Sequence, residues 1–238
     1  MIVANWKMHF DAKKALQTGC AIKNLLINAK AELAVCAPYL YLQELFECFK
    51  DSNIKLGAQN LYFKDEGAYT GEISAMMLKS VGCEYVIVGH SERRQIFGEN
   101  DELVNKKLKS AIQHSIVPIL CVGESLSQRE NNETFKVLEN QLAKDLQGIE
   151  GSVIIAYEPV WAIGSGKVAN AKQIFEAHEF IKKFIDTKVL YGGSVSPQNA
   201  QELAAINNVD GFLVGGASLD AQKFFSIVLS FEKTKGVT

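Results

Sequence analysis

The chain alternates short apolar runs with longer amphipathic stretches, and this alternation restricts its possible folds more than any other feature. Most of the short runs are continuously apolar, which is typical of parallel strands covered on both faces. The predicted strands are Ile2–Trp6, Leu33–Ala37, Ile54–Gln59, Tyr85–Gly89, Ile116–Val122, Val153–Tyr157, Lys188–Tyr191 and Gly211–Val214.

Between these strands, apolar residues recur at three- and four-residue spacing, as they do on one face of a helix. The residues Leu103, Val104, Leu108 and Ile112 show this spacing within one segment. The predicted helices are Asp11–Ala29, Asn100–His114, Glu133–Leu146, Ala171–Ile185, Pro197–Ile206 and Asp220–Phe231.

Repeated strand–helix units of roughly 30 residues predict an α/β fold, a closed eight-stranded parallel (β/α)8 barrel. A doubly wound open sheet is the alternative. It normally has a glycine-rich turn after its first strand, and Trp6-Lys7-Met8-His9 is not such a turn. No linker or change in composition divides the chain, so a single domain spanning residues 1–238 is predicted.

Composition excludes several classes of partner. The net charge of −2 provides no broad basic field for nucleic acid or anionic lipid. No run approaches the roughly 18 apolar residues that span a membrane, and the first residues lack the pattern of a signal peptide. The five cysteines are odd in number, scattered and without a C-x-x-C pair, which argues against a disulfide framework. We therefore expect a cytoplasmic protein.

Chemically active residues follow the predicted strands, and the carboxyl ends of barrel strands face one common site. These residues are Asn5, Lys7, His90, Ser91, Glu92, Glu158, Gly192-Gly193-Ser194, Gly215 and Gly216. Burial at a strand end is expected to raise the pKa of Glu158 and make it a better base near neutral pH. The helix predicted to begin after His90 disfavours a charged imidazole.

Each of these residues also has a structural interpretation. Glu158 could pair with a buried cation, His90 could be a core histidine, and Lys7 could be a solvated surface residue. The paired glycines could simply shape turns. Two such turns in consecutive units, the second leading into a short helix, favour a phosphate site instead.

Eight motifs carry a resemblance to a known family. They are Asn5-Trp6-Lys7-Met8, Gly57-Ala58-Gln59-Asn60, Gly67-Ala68-Tyr69-Thr70-Gly71-Glu72, Val88-Gly89-His90-Ser91-Glu92-Arg93-Arg94, Cys121-Val122-Gly123-Glu124, Ala156-Tyr157-Glu158-Pro159-Val160-Trp161-Ala162-Ile163-Gly164-Ser165-Gly166, Tyr191-Gly192-Gly193-Ser194-Val195 and Val214-Gly215-Gly216-Ala217-Ser218-Leu219. In these motifs, which occur in family order, the chain resembles the triosephosphate isomerases over essentially its whole length.

The resemblance implies a TIM barrel that interconverts dihydroxyacetone phosphate and D-glyceraldehyde 3-phosphate through an enediolate, a step of glycolysis and gluconeogenesis. It assigns Glu158 as the base and neutral His90 as the electrophile and proton shuttle. Lys7 and Asn5 bind substrate and stabilise the developing negative charge. Glu92 pairs with Lys7 and assists proton transfer.

The resemblance also implies a phosphate site, a lid and a homodimer. The phosphate site comprises Asn5, Lys7, Gly164, Ser194, Gly215 and Gly216. The lid comprises Pro159, Val160, Trp161, Ala162, Ile163, Gly164, Ser165, Gly166 and Lys167. In the homodimer, the loop Asn60–Glu72 inserts into the neighbouring subunit with Thr70 near its site, and Arg94 helps to hold this network. The reaction needs no metal and no other cofactor.

The chain departs from the family pattern at His9, Ser165 and Val168, and the last of these lacks a hydroxyl that could affect lid opening. We expect His9, His114 and His178 to be solvated, and Cys121 to be a packed barrel residue.

Two other functions are weighed against the isomerase. A Schiff-base aldolase needs a desolvated lysine on a central strand. A non-catalytic binding protein could share the fold but would not need Asn5, Lys7, His90 and Glu158 together.

Overall fold

The computed structural model describes residues 1–163 and 169–237. Within these ranges, eight parallel strands close into a barrel in sequence order, with the last strand paired to the first. The strands are β1 (Ile2–Asn5), β2 (Leu33–Ala37), β3 (Ile54–Ala58), β4 (Tyr85–Val88), β5 (Val117–Val122), β6 (Ile154–Tyr157), β7 (Val189–Tyr191) and β8 (Gly211–Val214). The predicted fold class and the order of strands are confirmed, and each strand end lies within one residue of its predicted position.

The helices that surround the barrel are α1 (Ala12–Leu25), α2 (Leu42–Phe49), α3 (Ala75–Ser80), α4 (Ser91–Gln95), α5 (Asp101–Gln113), α6 (Leu126–Glu130), α7 (Thr134–Asp145), α8 (Ala171–Phe184), α9 (Ala200–Ala205) and α10 (Ala221–Lys235). Short 3-10 segments occur at Tyr39–Tyr41, Val160–Ala162 and Gly216–Leu219. The six predicted helices correspond to α1, α5, α7, α8, α9 and α10. The helices α2, α3 and α6 are too short for apolar periodicity to indicate them clearly.

Polar side chains fix where the longer helices begin. Asp11 accepts the backbone N–H of Lys14 and caps α1. Asn100 accepts the N–H of Leu103 and caps α5. Asn170 forms a capping box with Gln173 at the start of α8. Such caps satisfy backbone donors that have no partner inside the helix, so these three residues set where the corresponding helices start.

The core has two parts because each strand is covered on both faces. Side chains such as Val3, Ile87, Ile119, Leu190 and Leu213 fill the barrel interior and are buried. A larger apolar layer lies between the strands and the helices. This two-sided burial explains why the strands are continuously apolar in sequence.

The cysteines give one correction. Cys20 of α1 and Cys48 of α2 form a disulfide, with their Cα atoms 6.1 Å apart. The sequence did not predict this pair, because spacing along the chain does not reveal which residues meet across neighbouring helices. Cys36, Cys83 and Cys121 are free, so a single link joins two helices and no disulfide framework is present among the described residues. Cys121 is buried among the side chains of the barrel interior.

His178 gives a second correction, since it is fully buried rather than solvated. Its Nδ1 atom lies 3.0 Å from the carbonyl oxygen of Asn208. Its ring packs edge-on against Tyr157, with the ring centroids 5.8 Å apart. Burial lowers the pKa of His178 to about 4.

The buried imidazole predicts a pH dependence of stability. Below the usual pKa of about 6.5, the unfolded chain binds a proton at this position that the folded protein takes up only near pH 4. The free energy of unfolding should therefore fall by about 3 kcal/mol as the pH drops through this window. His178→Gln cannot titrate, so urea unfolding of this variant should lack that part of the fall. Parallel curves for the two proteins would contradict the prediction.

Candidate active site

A cavity of about 220 Å³ lies at the carboxyl ends of the strands. The walls of this cavity, which we call the front cavity, include the predicted residues Asn5, Lys7, His90, Glu158, Ser194, Gly215 and Gly216. The predicted Gly164 lies outside the described residues, so the structure does not place it. Residues from five different strand ends thus meet at one mouth, as the fold requires.

Glu158 and His90 are in direct contact. The Oε1 atom of Glu158 lies 2.9 Å from Nε2 of His90, and its Oε2 atom accepts the N–H of Ser91 at 2.9 Å. The backbone N–H of Glu158 donates to Val122 across the sheet at 2.8 Å. The side chain is therefore held at two points and the backbone at a third, and the residue is only 2% exposed.

The contact changes the expected titration of both groups. Burial raises the pKa of Glu158, but the attraction of His90 and the hydrogen bonds from His90 and Ser91 outweigh it and lower the pKa below its ordinary value. Burial lowers the pKa of His90, whereas Glu158 and Glu92 raise it, with a net rise. The expectation of a raised pKa for Glu158 therefore does not hold while His90 is its partner.

The tautomer of His90 follows from the start of α4. The backbone N–H of Glu92 points at Nδ1 of His90 from 3.2 Å, so Nδ1 accepts and carries no proton in this arrangement. The ring proton then lies on Nε2 and is donated to Glu158. An imidazole held in this way presents a single N–H donor to the front cavity.

Lys7 has an unusual backbone conformation, with a positive φ of 52°. This left-handed region is costly for a residue other than glycine, and it persists only where neighbours hold it. The Asn5 side chain accepts the N–H of Lys7 at 3.0 Å, and the Gln59 side chain donates to its carbonyl at 2.9 Å. The ammonium lies 2.6 Å from Glu92. No role was predicted for Gln59 from the sequence, although it belongs to one of the quoted motifs.

Two glycines make room for Glu158. A Cβ atom on Gly123 would lie 1.8 Å from the carbonyl oxygen of Glu158. A Cβ atom on Gly192 would lie 2.9 Å from Cγ of Glu158. The residue after β5 thus approaches the backbone of Glu158, and the turn after β7 approaches its side chain. Neither position has space for a side chain of its own.

The segment after Glu158 is held by a buried carboxylate. Glu124 accepts from the indole N–H of Trp161 and the hydroxyl of Tyr157, each at 3.1 Å, and it is fully buried. The hydroxyl of Ser194 donates to the carbonyl of Ala162 at 2.7 Å. Glu124 belongs to one of the quoted motifs, but no role was predicted for it. Of the predicted lid, Gly164, Ser165, Gly166 and Lys167, together with the departure at Val168, lie outside the described residues.

The two residues predicted at a dimer interface lie in different surroundings. Thr70 is exposed in the loop after β3. Arg94 is directed inward, to Asp101 of α5 at 2.8 Å and Asp145 of α7 at 2.5 Å. The structure therefore gives Arg94 partners within its own subunit.

A larger cavity of about 500 Å³ borders Lys7 and His90. Its walls, which we call the outer groove, include Met8, Tyr39, Leu40, Arg93 and Phe97. Met8, Leu40 and Phe97 are 95%, 81% and 65% exposed, respectively. An exposed apolar surface of this kind is typical of an interaction site.

Residues 1–163 and 169–237 contain neither a metal site nor a membrane-spanning helix. No group of three or more His, Cys, Asp or Glu in these ranges is arranged to hold a metal ion. Among the helices of the same ranges, none is long and apolar enough to cross a membrane.

A buried carboxylate in contact with an imidazole, beside an ammonium at the mouth of a (β/α)8 barrel, is typical of barrel enzymes that move protons on anionic substrates. The chain matches the family described as triosephosphate isomerase over residues 1–231. It therefore belongs to the triosephosphate isomerase family, and it is an isomerase of triose phosphates.

Individual relatives agree with this assignment. The triosephosphate isomerase of Thermoanaerobacter pseudethanolicus is 47% identical over 96% of this chain and 98% of the relative. That of Alkaliphilus oremlandii is 45% identical with the same coverage. The crystal structure of triosephosphate isomerase from Bartonella henselae matches with a TM-score of 0.89 and 38% identity, covering 97% of this chain and 98% of that one.

The close approach at Gly192 predicts a loss of turnover. In Gly192→Ala, the added methyl must push Cγ of Glu158 aside, and a small misplacement of a catalytic group is costly. We expect kcat to fall by at least roughly tenfold.

Gly216→Ala is the matched variant, because a Cβ atom there meets nothing within 4 Å. Its effect should be on KM, since Gly216 borders the cavity without touching the base. Steady-state kinetics with triose phosphate measures both constants. An unchanged kcat in Gly192→Ala would show that the base tolerates displacement.

Proposed function

We propose that the chain interconverts dihydroxyacetone phosphate and D-glyceraldehyde 3-phosphate through an enediolate, with Glu158 as the base and His90 as the electrophile. The contact of 2.9 Å between the Oε1 atom of Glu158 and the Nε2 atom of His90 carries this proposal. A carboxylate and an N–H donor that lie together in one cavity can act on neighbouring atoms of one small substrate.

The reaction proceeds by two proton transfers to and from carbon. The Glu158 carboxylate takes a proton from C1 of dihydroxyacetone phosphate while His90 donates its Nε2 proton to the carbonyl oxygen at C2. The C1 hydroxyl proton passes to His90, and Glu158 returns its proton to C2. Lys7 and Asn5 stabilise the negative charge on oxygen, and Glu92 assists by holding the Lys7 ammonium.

Substrate binding would also activate the base. When His90 turns its N–H toward the substrate, Glu158 loses the partner that contributes most to lowering its pKa. Burial then dominates and raises the pKa of the carboxyl, which strengthens it as a base near neutral pH. The free enzyme keeps its carboxylate charged, and the complex makes the same carboxylate reactive.

The phosphate is bound by the turns after β7 and β8. Gly215 precedes and Gly216 begins the 3-10 segment Gly216–Leu219, and Ser194 follows the paired glycines after β7. Backbone N–H groups at such turns favour an anion. Gly164 completes the proposed set, although it lies outside the described residues. The chain needs such local donors because its net charge of −2 gives no general attraction for an anionic substrate.

The lid is part of the same proposal. Its described portion, Pro159–Ile163, begins directly after the base, and Trp161 is held by Glu124. Exclusion of water by a lid protects an enediolate phosphate from side reactions. The steps above use only side chains of the protein, so the proposal includes neither a metal nor another cofactor.

A homodimer is the arrangement that best explains the outer groove. The loop Asn60–Glu72 of a second copy, with Thr70 at its exposed part, is the proposed occupant. This loop would cover Met8, Leu40 and Phe97 and shield the Lys7 side of the front cavity. On the same family grounds, we place the protein in the cytoplasm and its reaction in glycolysis and gluconeogenesis.

The role of the base is tested by Glu158→Gln. This change keeps the size of the side chain and removes its basicity, so turnover should fall by at least roughly a thousandfold while the protein stays folded and dimeric. A coupled assay with dihydroxyacetone phosphate measures turnover, and circular dichroism checks the fold. Near-normal turnover would rule out this role.

The dimer is tested by Phe97→Glu, which places a charge in the outer groove. Burying that charge should raise the dimer dissociation constant by at least about tenfold. Phe175→Glu is the matched control, because Phe175 is a partly exposed phenylalanine on α8, outside the groove. Sedimentation over a range of concentrations should separate the two variants, and equal constants would contradict the proposed interface.

A further inference from the structure

Glu158 borders two cavities rather than one. The second cavity has a volume of about 130 Å³, and we call it the rear cavity. Its polar walls include Ser91, Arg94, Gln95, Gln128 and Gln141, and none of these residues lines the front cavity. Glu158 is the only residue common to the walls described for both. Glu158 is therefore the residue at which the described walls of the two cavities meet.

The two carboxylate oxygens are held by residues of different cavities. Oε1 contacts His90, which lines the front cavity, and Oε2 accepts the N–H of Ser91, which lines the rear cavity. A proton on Oε1 is therefore placed for exchange with the substrate and His90. A proton on Oε2 is placed near a space that the substrate does not occupy.

The rear cavity suits water. A volume of about 130 Å³ accommodates roughly four water molecules, which need two to four polar partners each. The amides of Gln95, Gln128 and Gln141 supply both donors and acceptors. The amide of Gln141 also accepts from the N–H of Gly123 at 2.9 Å, so this wall is held in place beside the base. Gln95 is exposed, which connects the cavity to solvent at its outer end.

Arg94 does not compete for the carboxylate. Its guanidinium is bound to Asp101, Asp145 and the carbonyl oxygens of Gly89 and Cys121. The cation is thus neutralised within its own network and lines the cavity without pairing with Glu158. Water can then reach Oε2 without displacing an ion pair.

We propose that the rear cavity holds water in contact with Glu158 and that the proton taken from substrate exchanges with solvent there. The inference rests on the proposed role of Glu158 as the base. After Glu158 has removed the proton from C1, rotation of its carboxyl group turns the new O–H toward the rear cavity. There the carboxylic acid gives that proton to a water and receives another from the same water, and the reverse rotation returns the O–H to the front cavity. The O–H bond broken is replaced by an equivalent one, so no charge moves and no further reactant is consumed.

This exchange has a measurable result. Part of the hydrogen removed from C1 reaches the solvent, and solvent hydrogen reaches C2 in its place, without slowing isomerisation. The extent of exchange then depends on the rear cavity, whereas turnover depends on the front cavity. A variant that alters only the rear wall should separate the two quantities.

The test is isomerisation of dihydroxyacetone phosphate in D2O, with the product trapped by oxidation as it forms. Nuclear magnetic resonance of the trapped product gives the fraction that retains protium at C2. Two variants reduce the water in the rear cavity: Gln95→Trp covers the outer end, and Gln128→Met replaces a polar wall with an apolar one. Gln95→Ala is the matched control, because it leaves the outer end open.

We expect the protium fraction to rise at least twofold in both Gln95→Trp and Gln128→Met, with kcat within twofold of wild type. Gln95→Ala should not raise the fraction. An unchanged fraction in both filled variants would overturn the inference and place the exchange in the front cavity. Failure of the wild-type protein to convert dihydroxyacetone phosphate at all would instead overturn the proposed function.

Discussion

The pairing of β8 with β1 is the constraint on which the rest of the molecule depends. Ile2, Val3 and Ala4 pair with Phe212, Leu213 and Val214, and this contact turns an open sheet into a closed barrel. A Cβ atom on Gly211 would lie 1.7 Å from the carbonyl oxygen of Met1, so closure needs glycine at that position. Only a closed sheet brings the ends of β1, β4, β6 and β8 around a single mouth.

Within that mouth, polar groups hold one another in place. The strained backbone of Lys7 is held on one side by Asn5 and on the other by Gln59. The position of Glu158 depends on Gly123 and Gly192, where a Cβ atom would collide with it. The site thus contains a strained backbone at Lys7 and two glycine positions where no side chain fits. The packed barrel beneath the site supports both features.

The sequence predicted the barrel well, because two-sided burial leaves a clear apolar signal in each strand. It also brought Asn5, Lys7, His90 and Glu158 to one end, since strand order and direction determine that placement. Contacts between outer elements were not predictable in this way. The Cys20–Cys48 disulfide, the burial of His178 against Asn208, and the inward direction of Arg94 all join residues about 28 to 51 positions apart, which no local pattern records.

The disulfide between α1 and α2 has a topological consequence. Cys20 and Cys48 are 28 positions apart, and the strand β2 lies wholly between them. The disulfide and the backbone between the two cysteines form a covalent ring, and this ring contains one complete strand of the barrel. A protease that cut the backbone anywhere inside this ring would leave two fragments still bonded to each other, and β2 could not diffuse away from the sheet that it completes.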